Sequence, residues 1–521
     1  MKLLTNKFII AAAGFAIATS AQAAQIKGPS SSASPYVIAS NPSTTIVTSI
    51  LTVGDDANPA AGIYRMVGIP DGMGAYDNNN GTFTVLLNHE LGSTVGLARA
   101  HGAAGSFVSQ FIVNKADFSV LGGSDLIQQV STWNAGTSSY NAAASGVSIG
   151  RLCSGDLAPV SAYFNSASGL GAQNRIFMSG EEVGPEGRVF GHVATGPGAG
   201  ISYELPRLGK FSWENGVANP GTGNKTAVLG TDDATPGQVY LYLGDKTNTG
   251  NDIARAGLTN GSLYGIRVSG AALEDRTNGI DGVAGNKDSV AFTLQNFGNV
   301  ENTTGAALQL SSTANNVTQF LRPEDIAWDL NDSKVAYFVT TDRFSQVEAG
   351  TGLQEGKSRL WKLAFASTDF TLGGTVSMLL EGSDAGQMFD NLTVTAEGQI
   401  IIQEDPGNQA YLAKTWTYDL ASGTLVELLI SDPARFAVPT APFSQDEESS
   451  GVIDISDIMG AQNGEKFYLG NMQAHYGTGD AETVEGGQLY VAQVSPVPEP
   501  STYAAFALGA VALVVLRRRR A

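Results

Sequence analysis

Cysteine is almost missing from this chain: Cys153 is the only one in 521 residues. No intramolecular disulfide can form, so stability must come from packing and from bound ions. Histidine is scarce as well, with His89, His101, His192 and His475 the whole set. None of them falls in a His-Glu-x-x-His zinc spacing. Charged residues make up only 15% of the chain, and acids outnumber bases 49 to 30, for a formal net charge of −19. An acidic surface of that size repels phosphate backbones, so nucleic acid is not an expected partner. Long amphipathic helical repeats are also missing from the middle of the chain.

Glycine is plentiful, with 63 residues. Short β-branched and aromatic clusters alternate with Gly, Asn, Asp and Ser turns, a pattern that predicts an all-β fold of many short strands. Turns such as 235–238, 396–399 and 463–466 each lead straight into an apolar run, with Gly providing the positive φ of a tight turn. Six apolar runs end on a carboxylate or a histidine: 85–90, 176–182, 239–245, 335–342, 400–405 and 467–475. Six such tips suggest strands that deliver acidic groups to the mouth of a radial β-architecture. Their spacing, roughly 60–100 residues, exceeds a usual blade of about 40–50, which calls for long insertions. The expected fold is a β-propeller of about six blades with long loop insertions, and two packed β-domains are the alternative.

Both ends read as addresses. Lys2 and Lys7, the apolar stretch 8–19 and Ala21-Gln22-Ala23 form a secretory signal peptide over 1–23. At the other end Val497-Pro498-Glu499-Pro500 precedes the apolar stretch 502–516 and four arginines, Arg517 to Arg520. Such a stretch predicts a hydrophobic transmembrane helix with its basic end in the cytoplasm. This tail, 496–521, resembles the PEP-CTERM sorting signal. The resemblance implies an exosortase-type processing enzyme as partner. It also implies export in a Gram-negative bacterium, to the outer surface or beyond, after transient anchoring in the inner membrane. The body is then 24–495.

Within the body, acidic residues cluster at strand ends and starts. The candidate metal ligands are Glu90, Glu181, Glu182, Asp232, Asp233, Glu324, Asp390 and Glu404. Carboxylates from separate blades can surround a cation with the six to eight oxygens that calcium prefers. Arg322 offers a fixed donor fork to a phosphate, and acids with one arginine suit metal-assisted phosphoester hydrolysis. Each histidine alone reads as structural, although the four together favour a polar centre. Cys153 is either a buried inert thiol or a metal-bound or reactive thiolate.

These segments resemble the PhoX alkaline phosphatase family of exported β-propeller enzymes. The resemblance is carried in order by Asn88-His89-Glu90 with Arg99-Ala100-His101-Gly102, Ser179-Gly180-Glu181-Glu182, Asp232-Asp233, Arg322-Pro323-Glu324-Asp325, Asp390-Asn391-Leu392, and Gly451 with Asn471-Met472-Gln473. It implies hydrolysis of phosphate monoesters with iron and calcium. It also implies that Glu181, Asp233 and Glu324 are metal ligands and that Arg322 contacts phosphate. Two positions depart from the family: Gly180 stands where a cysteine ligand is expected, and Asp232-Asp233 replaces His-Glu. Calcium is therefore the expected cofactor, and iron is in doubt because of Gly180. Two other functions remain open. One is a non-catalytic, calcium-stabilised surface protein in an extracellular polysaccharide matrix. The other is a calcium-dependent propeller esterase or lactonase.

Overall fold

The computed structural model describes residues 25–58, 60–344, 356–437 and 443–496. The signal peptide and the apolar stretch 502–516 lie outside the described residues. Among the described residues the longest helix is Gly305–Ala314, and no helix is long and apolar enough to cross a membrane.

The chain is mostly β, in a propeller-like arrangement. Four sheets of four or five strands are separate, and a fifth holds ten strands. Six strands are innermost: β1 (Pro70–Asp77), β2 (Leu152–Asp156), β3 (Trp213–Ala218), β4 (Pro323–Trp328), β5 (Phe389–Val394) and β6 (Val452–Asp454). Each packs on the next, and β6 returns to β1, so the six close a ring. β3 and β4 are the two ends of the ten-stranded sheet. The strand Val290–Gly298 joins its halves by pairing with both Ser262–Val268 and Gly374–Glu381.

The inner strands are mostly buried along their length, whereas outer strands reach solvent. The buried clusters accordingly lie between neighbouring sheets. One joins the first and second sheets through Leu86, Val108, Leu152 and Phe177. Another fills the space between the halves of the ten-stranded sheet with Leu229, Leu241, Phe338 and Trp361. A third joins the last sheet to the first through Leu489, Val491, Val85 and Phe111.

The ring closes by mixing chain ends. The strand Thr45–Thr52 pairs with Glu485–Val494 in the last sheet, and Val37–Ala39 pairs with Thr424–Ser431 in the sheet before it. Residues from the beginning of the chain thus complete two sheets formed from its end. Ile50 is fully buried in the cluster that joins the last sheet to the first. Truncation of such a residue forfeits its transfer energy and leaves a cavity. Ile50→Ala should lower stability by about 2–5 kcal/mol in denaturant unfolding. A loss below about 1 kcal/mol would show that this strand is not part of the closure.

Candidate metal centre

Five of the six inner strands share one irregularity. In β1 the pairing with the next strand steps from Pro70↔His89 to Met73↔Leu87, so one extra residue bulges. The same step occurs after Leu152 in β2, Trp213 in β3, Pro323 in β4 and Phe389 in β5. A β-bulge re-aims a side chain and bends its strand. Here the first bulged residues are Asp71, Cys153, Glu214, Glu324 and Asp390. Ile69, Arg151, Arg322 and Met388, just ahead of four of these strands, hold positive φ of 50°, 39°, 58° and 51°. That left-handed backbone costs a side-chain-bearing residue roughly 1–2 kcal/mol. Its repetition at the same structural place marks a built feature.

The bulges bring two groups of ligand atoms together. Asp71, Glu90 and Cys153 lie within 4.8 Å of one another, as do Glu214, Asp233 and Glu324. Each group has its own arginine. Arg151 Nη2 lies 2.5 Å from Glu90 Oε1 and also pairs with Glu182. Arg322 donates from Nε to Asp233 Oδ1 at 3.0 Å, and its Nη2 lies 2.7 Å from Glu324 Oε1. Amide side chains brace the strands. Asn88 donates to the Cys153 carbonyl at 2.6 Å, Asn471 to the Asp71 carbonyl at 2.6 Å, and Asn391 to Ser154 Oγ at 2.6 Å. Gln473 donates to Asp71 Oδ2 at 2.9 Å and to Glu90 Oε2 at 3.1 Å.

Several buried oxygens here find no hydrogen-bond partner among the described residues: Asp71 Oδ1, Glu214 Oε1, and the amide oxygens of Asn88, Asn391, Asn471 and Gln473. Native proteins rarely leave buried acceptors unpaired. Carboxylate and amide oxygens are ligand types for hard cations, so the residues present fit the binding of metal ions.

Electrostatics agrees with that fit. Burial, then the charges of Glu90 and Glu448, pushes Asp71 well above the usual carboxylate range. Burial and Glu324 do the same to Glu214, and burial raises Glu324 although Arg322 opposes the shift. Asp390 rises through burial and the charges of Glu324 and Glu214. Burial and Glu90 lift Glu182 to about 8, and burial and Glu448 lift Asp405 to about 7. The Cys153 thiol is raised by burial, then by Asp71. His475 is lifted to about 11 by Glu448 and Glu485 against its own burial. It holds Glu448 below the usual range, also against burial.

Of the residues singled out from the sequence, Glu90, Asp233 and Glu324 stand in the two groups. Arg322 pairs with the second group, Glu182 meets Arg151, and Asp390 feels the second group's charges. Glu181, Asp232 and Glu404 are not brought there. Glu181 is held by Arg188 Nε at 2.6 Å and by the Gly150 amide at 2.9 Å. Asp232 accepts the Ser212 amide at 3.1 Å. Glu404 accepts from the Gln387 amide, Tyr411, the Lys414 amide and Trp416, at 2.7–3.1 Å. Successive strand residues face opposite ways, so each acidic pair sends one member to the ring and the other into a blade.

The expected run tips divide in the same way. Asp245 lies in an exposed pair with Lys225, away from the ring, and Asp342 is held by Arg276. The histidines do not form a polar centre together. His89 is fixed between the Gly68 carbonyl and Ser109, and His192 between Ser179 and Ser202. Only His475 adjoins the acids, through Glu448.

A Cβ at Gly180 would come within 2.2 Å of Trp213 Cβ, so no side chain fits there. Cys153 stands in the first acid group instead, with Sγ 3.6 Å from Asp71 Oδ2. Asp71, Glu214, Arg151, Asp405 and Glu448 were not chosen from the sequence, and Cys153 was left open between an inert and a metal-bound thiol. A recurring step would have found three of them: a bulky residue or proline, then an acid or cysteine, then a small or polar residue, as in Pro70-Asp71-Gly72, Leu152-Cys153-Ser154 and Trp213-Glu214-Asn215.

Residues 201–441 match the family "Alkaline phosphatase PhoX". The resemblance to PhoX read from the short motifs is thus shown. Residues 496–520 match the PEP-CTERM protein-sorting motif. Among solved structures, Pseudomonas fluorescens PhoX in complex with vanadate, a transition state analogue, is similar at 12% identity. That match covers 90% of this chain and 97% of the PhoX chain, with a TM-score of 0.60, and it shows a shared fold. A Synechocystis apocarotenoid oxygenase mutant matches at 10% identity over 84% of this chain and 93% of its own, with a TM-score of 0.31, too low to support an argument. No curated protein matches the chain. The PhoX-matching region contains Glu214, Asp233, Arg322, Glu324, Asp390 and Asp405, whereas Asp71, Glu90 and Cys153 precede it.

A carboxyl whose folded pKa exceeds its unfolded value binds its proton more tightly in the fold. Its stabilisation is full below the unfolded value of about 4 and is lost as pH rises through the folded one. Glu182 at about 8, with Asp405 and Asp156 at about 7, set the window. Cation-stripped protein should therefore melt at progressively lower temperature as pH rises from about 4 to 8. Added cation should reverse most of that loss. A melting temperature that rises over this range in chelator would contradict the assignment.

Proposed function

We propose that this protein is an exported, metal-dependent hydrolase of phosphate monoesters. Its working site is then the pair of acid groups at the top of the six-strand ring. Counting the ten-stranded sheet as two blades makes the body, 24–495, a six-bladed propeller. The observation that carries the reading is the placement of two buried ligand groups, each with an arginine beside it, where all six inner strands converge. The PhoX match over residues 201–441 supports the choice of reaction.

Bound cations would neutralise the carboxylates, polarise a phosphoryl oxygen and activate water. Asp71, Glu90 and Cys153 would hold one cation. A thiolate among the ligands favours a transition metal such as iron, so the loss of a cysteine at Gly180 does not count against iron. Glu214, Asp233 and Glu324 provide oxygen only, which suits calcium. Arg322 and Arg151 would orient the phosphate, because each guanidinium presents a planar donor fork that complements its oxygens. Their fixed left-handed backbone limits how far they can move when a substrate arrives. The signal peptide over 1–23 would direct export. The tail over 496–521 would be processed by an exosortase-type enzyme, leaving the body outside the inner membrane.

The test is turnover of a chromogenic phosphate monoester with calcium and iron supplied. Arg322→Ala and Glu324→Gln should each lower kcat/KM by about 100-fold or more, as expected for groups that stabilise developing charge. Unchanged rates in both variants, or metal binding with no turnover by the native protein, would contradict the reading.

A further inference from the structure

Beside the second acid group lies a cavity of about 240 Å³ that the metal chemistry does not use. Asp233 belongs to both, since it contributes to the acid group and to the cavity wall. Apolar surface from Phe211, Ala234, Pro236 and Tyr240 predominates on the rest of the wall, which Lys210, Asp232 and, from the helix Gly305–Ala314, Gln309 also line.

The walls are held in place. Phe211 stacks on Trp213 with ring centroids 4.0 Å apart and on Tyr240 at 4.7 Å. The Tyr240 hydroxyl lies 2.9 Å from Ser312 Oγ, which ties the helix to the sheet. Gly305 seats the helix start so closely that a Cβ there would come within 1.4 Å of the Pro185 carbonyl oxygen. The cavity is therefore preformed and does not wait for a loop to fold over it.

We infer that this cavity receives the alcohol portion of the phosphate monoester and selects esters whose alcohol carries a small apolar or single-ring group. The inference rests on the phosphomonoesterase reading above. In that reaction water adds to phosphorus, the bond from phosphorus to the ester oxygen breaks, and the alcohol leaves with a proton while inorganic phosphate remains. With the phosphoryl group beside Arg322 and the second acid group, the wall at Asp233 leaves the adjoining apolar space for the ester substituent. Benzene fits an apolar cavity of about 150 Å³, so a phenyl group matches this volume. A longer polar alcohol would strip water from groups that find no partner on Phe211, Pro236 or Ala234.

Gln309 gives a test away from the metal ligands and arginines. Steady-state kinetics on phenyl phosphate and methyl phosphate should be measured for the native full chain, Gln309→Trp and Gln309→Ala. The ratio between the two esters is compared across variants, because the esters differ in intrinsic reactivity. Gln309→Trp, which fills the cavity, should lower kcat/KM for phenyl phosphate by about 10-fold or more, the scale of hydrophobic-pocket discrimination. Methyl phosphate turnover and inhibition by inorganic phosphate should stay within about twofold. Gln309→Ala, which cannot fill the cavity, should keep the native ratio or favour the phenyl ester further. If Gln309→Trp lowers both esters equally, or neither, the cavity is not the alcohol site although the phosphatase reading stands. If the native protein turns over neither ester, the phosphatase reading falls and this inference falls with it.

Discussion

Carboxylates in a dry channel repel one another and resist ionisation. Here Asp71, Glu90, Glu214, Asp233 and Glu324 are drawn with one thiol into two tight groups. Two like charges about 4 Å apart cost on the order of 4 kcal/mol at the effective dielectric of a protein surface, before desolvation is added. Two arginines offset part of this, yet burial still pushes Asp71, Glu214 and Glu324 above the usual carboxylate range. The ring therefore suits multivalent cations, and its surrounding architecture serves to keep the ligands in place against their own repulsion.

That architecture is a single device repeated around an axis. An inner strand begins at the ring, often after a residue in left-handed conformation. It then bulges by one residue and presents an acid or a thiol. The next strand of the sheet runs back to the same face and ends on a second acid, as at Glu90, Glu182, Asp233 and Asp405. Clusters of buried apolar side chains between neighbouring sheets hold the strands at fixed spacing. Closure of the last two sheets by strands from the beginning of the chain prevents the ring from opening. The two arginines beside the acid groups share this geometry, because Arg151 and Arg322 occupy the left-handed positions themselves.

Much of this was legible in the residues. The apolar runs between glycine-rich turns correspond to real strands, and the acids at their ends lead to the ring in most cases. Glu90, Asp233, Glu324 and Arg322, picked out from short motifs beside such strands, are the ones the fold gathers in or beside the two groups. Three other acids chosen from the sequence lie away from the two groups for one reason. In Glu181-Glu182, Asp232-Asp233 and Glu404-Asp405 the strand turns one acid inward and the other into hydrogen bonds within a blade, and adjacency alone does not say which. Asp71 and Glu214 were hidden at strand starts, and Cys153 stayed open between two readings there, because a bulge rather than a tip delivers the side chain. Cys153 lies 27 positions before Gly180 in sequence, and only the pairing of Leu152 with Glu181 brings its strand beside that segment.

The central claim is that the ring is built to hold cations in two distinct groups. The most direct measurement is elemental analysis of the folded protein purified without chelator. Two or more tightly bound cations per chain are predicted, with at least one lost on replacing Cys153 by serine and at least one retained. A folded protein that carries no bound cation, and that takes up none from calcium and iron salts, would contradict the account.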